Sequence, residues 1–213
     1  MSGAEPVQFH PRLAEEDQAR AGYYALLARL YHSGPDAALL DAVAKANADA
    51  DALGAEPGNT ELARAWQTFA AATRAMDAEA AQLEYDGAFV GTGKAEVTPY
   101  ATYYLAEAGR EKILVQLKAL LAEWGLGKKE ETHEPEDHFA ALFEVMRHLI
   151  SAGSDDAALQ KQKKFFVQFI APSYSAFCNA IGAAPSTNFY RVVGRLTQVF
   201  LDVETESLKV FLL

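Results

Sequence analysis

The chain has 213 residues and carries 19 Lys and Arg against 29 Asp and Glu, a net charge of −10 at pH 7. Half of the residues are hydrophobic and 23% are charged, which excludes the polar, charge-dense composition of a disordered chain. The acidic excess excludes a nonspecific binder of nucleic acid or of anionic membrane, because both surfaces would repel it, whereas a cationic partner would be attracted.

One cysteine, Cys178, can form neither an internal disulfide nor a Cys-based zinc site, which fits a reducing compartment. The first residues, MSGAEPVQFHPRLAEED, lack an apolar run behind positive charge, and no stretch approaches the roughly 20 apolar residues that span a bilayer. The expectation is a cytoplasmic protein with no stable membrane insertion.

Alanine is abundant and alternating Val, Ile and Thr are missing, so helix is favoured throughout. Leu26, Leu27, Leu30 and Tyr31 form the apolar stripe of a first helix, and Leu62, Trp66 and Phe69 that of a later one. A short amphipathic segment from about Pro35 lies between them and is closed by Gly54 and by Pro57-Gly58. From Arg110 to Trp124, Ile113, Leu117, Leu120, Leu121 and Trp124 share one face, and Gly125 and Gly127 end the helix. The charged stretch GKKEETHEPEDH then reads as a loop or hinge, with Pro135 in the first turn of the next helix and Asp137 near its positive end. Phe139, Leu142, Phe143, Met146, Leu149 and Ile150 make that helix's buried face. Three more helices are expected, over about Asp156–Ile170, Ser173–Ile181 and Thr187 to the end. The fold class is all-α, a single-domain bundle of about eight to ten helices. Its halves, about 1–124 and 135–213, are joined by a hinge at about 125–134.

Catalytic arrangements are missing. GTGK at Gly91–Lys94 lacks the GxxxxGK[ST] spacing that converges backbone N–H groups and a lysine on phosphate, so it reads as a turn. Glu130-x-x-His133 is a lone Glu-x-x-His in a charged loop, where a di-metal bundle needs two on inward helical faces. Cys178 shares an apolar face with Tyr174 and Ile181, as a buried inert thiol does. No metal site and no cofactor are expected.

Two segments stand out. YDGAFVGTGKAEVTPYATYYL gathers Tyr85, Phe89, Tyr100, Tyr103 and Tyr104 around glycines and Pro99 between two helices. Such aromatics either close the end of the core or offer a surface to an apolar peptide. In Glu134-Pro135-Glu136-Asp137-His138, the spacings of three and four bring Glu134, Asp137 and His138 to one site if the helix extends back that far. They would then either serve as a helix-start cluster or hold a guanidinium.

Together the elements Y-x-x-x-F-x-G from Tyr85, Pro99-Tyr100 with Tyr104, and E-P-x-D-H from Glu134 running into a helix with Leu142 and Met146 resemble the TorD/DmsD/NarJ family of cytoplasmic redox-enzyme maturation chaperones. The resemblance spans about Tyr23 to Leu201, and E-P-x-D-H is its most specific part. It implies an all-helical protein without catalytic activity. Its partners would be the precursor of a molybdenum-cofactor oxidoreductase of the dimethyl-sulfoxide-reductase type and that precursor's twin-arginine signal peptide, held back from export until the cofactor is inserted. The resemblance implies a peptide-binding surface of Tyr85, Phe89, Pro99, Tyr100, Pro135, Asp137 and His138; Tyr104 and Glu134 complete the candidate set, and Asp137, supported by Glu134 and His138, is expected to face the basic part of the signal and the Tyr85–Tyr104 loop its apolar part. The sequence departs from the family where Ala101-Thr102 follow the Pro-aromatic pair in place of Glu-Ser, and at Phe169–Ser173, where a His-Leu-x-x-Trp-like element is replaced. Alternative readings are a metal- or nucleotide-binding helical regulator or enzyme, and a helical adaptor without signal-peptide specificity. The hinge predicts mainly monomer, with exchange of halves into a dimer.

Overall fold

A computed structural model describes residues 13–52, 60–91, 95–127 and 135–210. The described residues form ten α-helices: α1 Glu15–His32, α2 Ala37–Ala52, α3 Glu61–Ala75, α4 Ala78–Tyr85, α5 Ala101–Leu105, α6 Arg110–Glu123, α7 Phe139–Ala152, α8 Asp156–Phe165, α9 Tyr174–Ala183 and α10 Phe189–Val210. Two single π-helical turns, π1 at Asp86–Val90 and π2 at Phe166–Ile170, continue α4 and α8 without a break. The all-helical expectation holds, and the later helices start and stop within a few residues of the expected positions. The hinge at about 125–134 lies outside the described residues from 128 onward.

Helices from both sides of that segment share one core, with α1 packed along α7, and α3 and α4 against α10. The stripes read from sequence face inward: Leu27, Leu30 and Tyr31 of α1, and Phe139, Leu142, Phe143, Met146, Leu149 and Ile150 of α7, are all buried. Aromatic rings fill the centre. Phe139 stacks on Phe177 at 4.0 Å between centroids, and Tyr31 contacts Phe89, Phe143, Phe177 and Tyr190. Such contacts add to the free energy of removing apolar surface from water. Gly34, after α1, lies so close to α4 that a Cβ there would meet the Gln82 Cα at 2.7 Å, which only glycine tolerates.

Helix ends are satisfied by side chains from distant positions. Glu84 of α4 accepts from the backbone N–H groups of Asn188, Phe189 and Tyr190 at 2.7, 3.1 and 2.7 Å, placing a carboxylate against the positive end of α10. Tyr85 donates its hydroxyl to the carbonyls of Tyr31 and His32 at 3.2 and 2.9 Å, at the C-terminal end of α1.

A buried polar network closes the opposite end of α1. The Arg20 guanidinium binds Glu204 of α10 through both carboxylate oxygens, Nε to Oε1 at 2.7 Å and Nη2 to Oε2 at 3.0 Å. Its Nη1 donates to Asp17 at 2.9 Å, and Tyr24 donates to Glu204 Oε2 at 3.1 Å. Glu204 is only 1% exposed. A buried carboxylate deprived of its cation is strongly destabilising, whereas an apolar pair of similar volume is not. Arg20→Met should therefore lower unfolding free energy by about 3–5 kcal/mol in urea titration. The double substitution Arg20→Met/Glu204→Leu should recover most of that loss.

Candidate functional site

The two unusual sequence segments meet. In an otherwise helical chain, Tyr100 and His138 form an antiparallel bridge. The Ala101 N–H donates to the Asp137 carbonyl at 2.8 Å, and the Phe139 N–H donates to the Pro99 carbonyl at 2.9 Å. This clamp sets the starts of α5 and α7 side by side. Its side chains reinforce it. Thr102 Oγ1 donates to Asp137 Oδ2 at 2.5 Å, with both residues buried, and the Tyr100 and His138 rings meet edge to face at 5.4 Å.

His138 is the N-cap of α7, its Nδ1 accepting from the Ala140 N–H at 3.1 Å. The acceptor role requires Nδ1 to be unprotonated, so the neutral ring carries its proton on Nε2. Helix α7 thus begins at Phe139 and not at Pro135. Pro135 and Glu136 lie before it, where the His138 N–H donates to the Pro135 carbonyl at 3.2 Å. The helical face expected to join Glu134, Asp137 and His138 is therefore not formed, and Glu134 lies outside the described residues. The physical reason is that Asp137 lies in a turn and His138 is extended, with the backbone of 137–139 hydrogen-bonded to 99–101. The charges here are also engaged: Asp137 is 4% exposed and held by Thr102, and Glu136 pairs with Lys118 at 3.4 Å.

The aromatic segment is mostly helical, which corrects its reading as a loop. Ala81, Tyr85, Ala88 and Phe89 keep helical spacing and are buried, so the chain stays helical through π1. The Gly91 N–H closes the π turn on the Asp86 carbonyl at 2.7 Å, and Gly91 leaves it with φ 64°, in the left-handed region that glycine favours. Tyr85 and Phe89 pack at 5.2 Å and both contact Tyr190. Tyr104 is half-buried and donates to the Thr98 carbonyl at 2.9 Å, and burial pushes its phenol well above the usual range. Tyr103 is exposed, with the Arg110 guanidinium 4.6 Å from its ring centroid.

Between the clamp and π1 lies a cavity of about 340 Å³ lined by Tyr85, Phe89, Val90, Ala95, Thr98, Pro99, Tyr100 and His138. Five of the residues singled out from sequence, Tyr85, Phe89, Pro99, Tyr100 and His138, therefore share its wall, while Asp137 and Tyr104 stand behind it as supports. Thr102, the partner of Asp137, was not singled out. It occupies the position where the family commonly has Ser, and a hydroxyl at that place was the available signal. Glu96 braces the rim from beyond, accepting from the Ser186 N–H and hydroxyl at 3.1 and 2.8 Å.

GTGK and Glu130–His133 lie wholly or mostly outside the described residues. Cys178 is buried, and desolvation pushes its thiol far above the usual range, so it stays protonated and a poor nucleophile. Among the described residues, no three His, Cys, Asp or Glu side chains are grouped to hold a metal, and no helix is long and apolar enough to cross a membrane.

Thr102→Val would leave the Asp137 carboxylate buried without its hydroxyl donor, which should cost about 1–3 kcal/mol in thermal or urea unfolding. Thr102→Ser should stay close to the parent chain.

Comparison with known proteins agrees with this architecture. The chaperone protein TorD of Shewanella loihica is 27% identical over 205 residues, covering 90% of this chain and 94% of that protein. The chaperone protein TorD of Actinobacillus pleuropneumoniae serotype 7 is 30% identical over 155 residues, covering 70% and 73%. The crystal structure of a proposed redox enzyme maturation protein from Archaeoglobus fulgidus superposes with a TM-score of 0.53 at 19% identity, over 92% of this chain and 99% of that one, and shares its fold. The family model described as nitrate reductase delta subunit matches residues 55–179, more than half of the chain and both strands of the clamp, and the chain belongs to that family, the one that TorD and NarJ share.

Proposed function

We propose that this protein is a non-catalytic maturation chaperone for a molybdenum-cofactor oxidoreductase of the dimethyl-sulfoxide-reductase type. It would act in the cytoplasm, binding the client's twin-arginine signal peptide, its apoprotein, or both, and delaying export until the cofactor is in place. The observation that carries this reading is the cavity, where aromatic rings from π1, the Pro99-Tyr100 turn and His138 converge beside a backbone clamp. A signal peptide is an apolar run behind basic residues. An aromatic-lined recess offers large, rigid contact area to such a run at low cost in rotamer entropy. The chaperones named TorD among its relatives support the chaperone class.

In this reading the part-exposed Tyr100 and Pro135 meet the peptide directly, and the buried Pro99 and His138 shape the wall beside them. Asp137 works through position, since its carboxylate is spent on Thr102 and its carbonyl on Ala101. Tyr85, Phe89 and Tyr104 form the floor and its support. The long-range attraction of a net charge of −10 for a basic peptide would speed encounter and weaken with salt.

Calorimetric titration with a synthetic peptide bearing two adjacent arginines ahead of an apolar run tests the reading. His138→Asn keeps a side chain able to cap α7 while removing the ring. Together with Tyr100→Ala it should raise Kd about tenfold, near 1.4 kcal/mol, without a matching loss of helicity. Parental affinity in the folded variants would remove the cavity from the binding surface. No binding by the parent chain would sink the signal-peptide reading itself.

A further inference from the structure

Of the acids at residues 134–138 that sequence suggested for reading the peptide's charge, Glu136 pairs with Lys118, Asp137 is buried against Thr102, and Glu134 lies outside the described residues. Four residues of α4 and π1 supply a different surface. Glu79, Leu83, Asp86 and Val90 are all exposed, and Leu83 and Val90 are 67% and 60% exposed despite being large and apolar. Glu79, Leu83 and Asp86, at spacings of four and three, fall on one side of a helix of about 3.6 residues per turn. The opposite side of the same element carries Ala81, Tyr85, Ala88 and Phe89 into the core. The wider π turn at Asp86–Val90 then brings Val90 round to line the cavity with Tyr85, Phe89 and Tyr100. The stripe is therefore continuous with the recess.

The acids of this element divide by task. Glu84 is committed to three backbone N–H groups at the start of α10. Asp86 accepts from the neutral Gln82 amide at 2.8 Å, and its carboxylate and that of Glu79 are exposed to solvent. The stripe thus alternates acid, apolar, acid, apolar on its way to the cavity. That pattern complements a chain that is basic at one end and apolar at the other, and it is a poor surface for an acidic or a purely polar partner.

We infer that the outer face of α4 and π1, Glu79, Leu83, Asp86 and Val90, is the docking strip for the basic portion of a signal peptide whose apolar portion enters the cavity at Val90. The inference rests on the signal-peptide reading above and relocates the recognition of charge from Asp137 to Asp86 and Glu79. Leu83 then covers the alkyl stems of the peptide's basic side chains, as long cations commonly lay their methylenes on apolar surface.

The test uses the full chain, the twin-arginine peptide and a second peptide with both arginines replaced by glutamine, titrated at low and high salt. Glu79→Gln/Asp86→Asn is isosteric and solvent-exposed. It should weaken the twin-arginine peptide about tenfold at low salt, flatten its salt dependence and leave the glutamine peptide unchanged. Leu83→Ser/Val90→Ser should weaken both peptides at either salt concentration. If the parent chain binds the twin-arginine peptide and both double variants match it, the strip is overturned while the cavity reading stands. If the parent chain binds neither peptide, the signal-peptide reading falls and the strip with it. A photo-reactive group beside the peptide's arginines gives a second readout. Its cross-links should fall on Leu83 and its neighbours, and cross-links confined to 135–138 would return the charge reading to that segment.

Discussion

One isolated bridge, Tyr100 with His138, flanked by two backbone hydrogen bonds, holds the starts of α5 and α7 together. The pairing of Pro99–Ala101 with Asp137–Phe139 fixes where α5 and α7 begin, and α7 is the helix on which α1 packs. Backbone donors and acceptors buried in a bundle must find partners, and residues outside a helix cannot find them within it. Here each segment satisfies the other. The buried Thr102–Asp137 hydrogen bond and the Tyr100–His138 contact reinforce the pairing of the two segments. The cavity wall inherits that rigidity, because Pro99, Tyr100 and His138 belong to both clamp and cavity.

The other wall is held from the opposite direction. Glu84 ties α4 to the first turn of α10, Tyr85 ties it to the last carbonyls of α1, and Glu96 ties the following segment to Ser186. Each bond joins residues far apart in sequence, so the recess is defined by tertiary contacts and not by a local loop conformation. The Arg20–Glu204 pair makes a comparable connection between α1 and α10 beyond the aromatic centre. Buried charges of this kind constrain register more reliably than they add stability.

Much of the fold was legible because helical apolar periodicity survives in single sequences. The stripe from Phe139 to Ile150 and that from Leu117 to Leu121 point inward as read. The family resemblance rested on short motifs whose residues the fold gathers at one place. What sequence did not reveal was the state of those residues. Glu-Pro-x-Asp-His looks like an acidic helix start, yet His138 caps the helix and Asp137 turns inward to Thr102. That outcome depends on a partner strand 35 residues earlier, which no local pattern encodes. The π turns escaped for a similar reason. An extra residue in one turn shifts the apolar register, and Gly91 marks only the exit. Consequently π1 read as loop, and the exposed side of α4 went unremarked because the helix itself was not recognised.

The excess of acids acquires a geography. Glu84, Asp137 and Glu204 are consumed inside the structure, whereas Glu79 and Asp86 stand on the surface beside the one recess that family motifs surround. In the proposed function a basic, apolar-tailed peptide binds where the clamp meets π1. Backbone hydrogen exchange, followed by mass spectrometry with and without the twin-arginine peptide, addresses it most directly. The account predicts slowed exchange concentrated in 79–91, 95–102 and 135–140. Protection confined to other elements, such as α6 and α8, or exchange unchanged under saturating peptide, would contradict it.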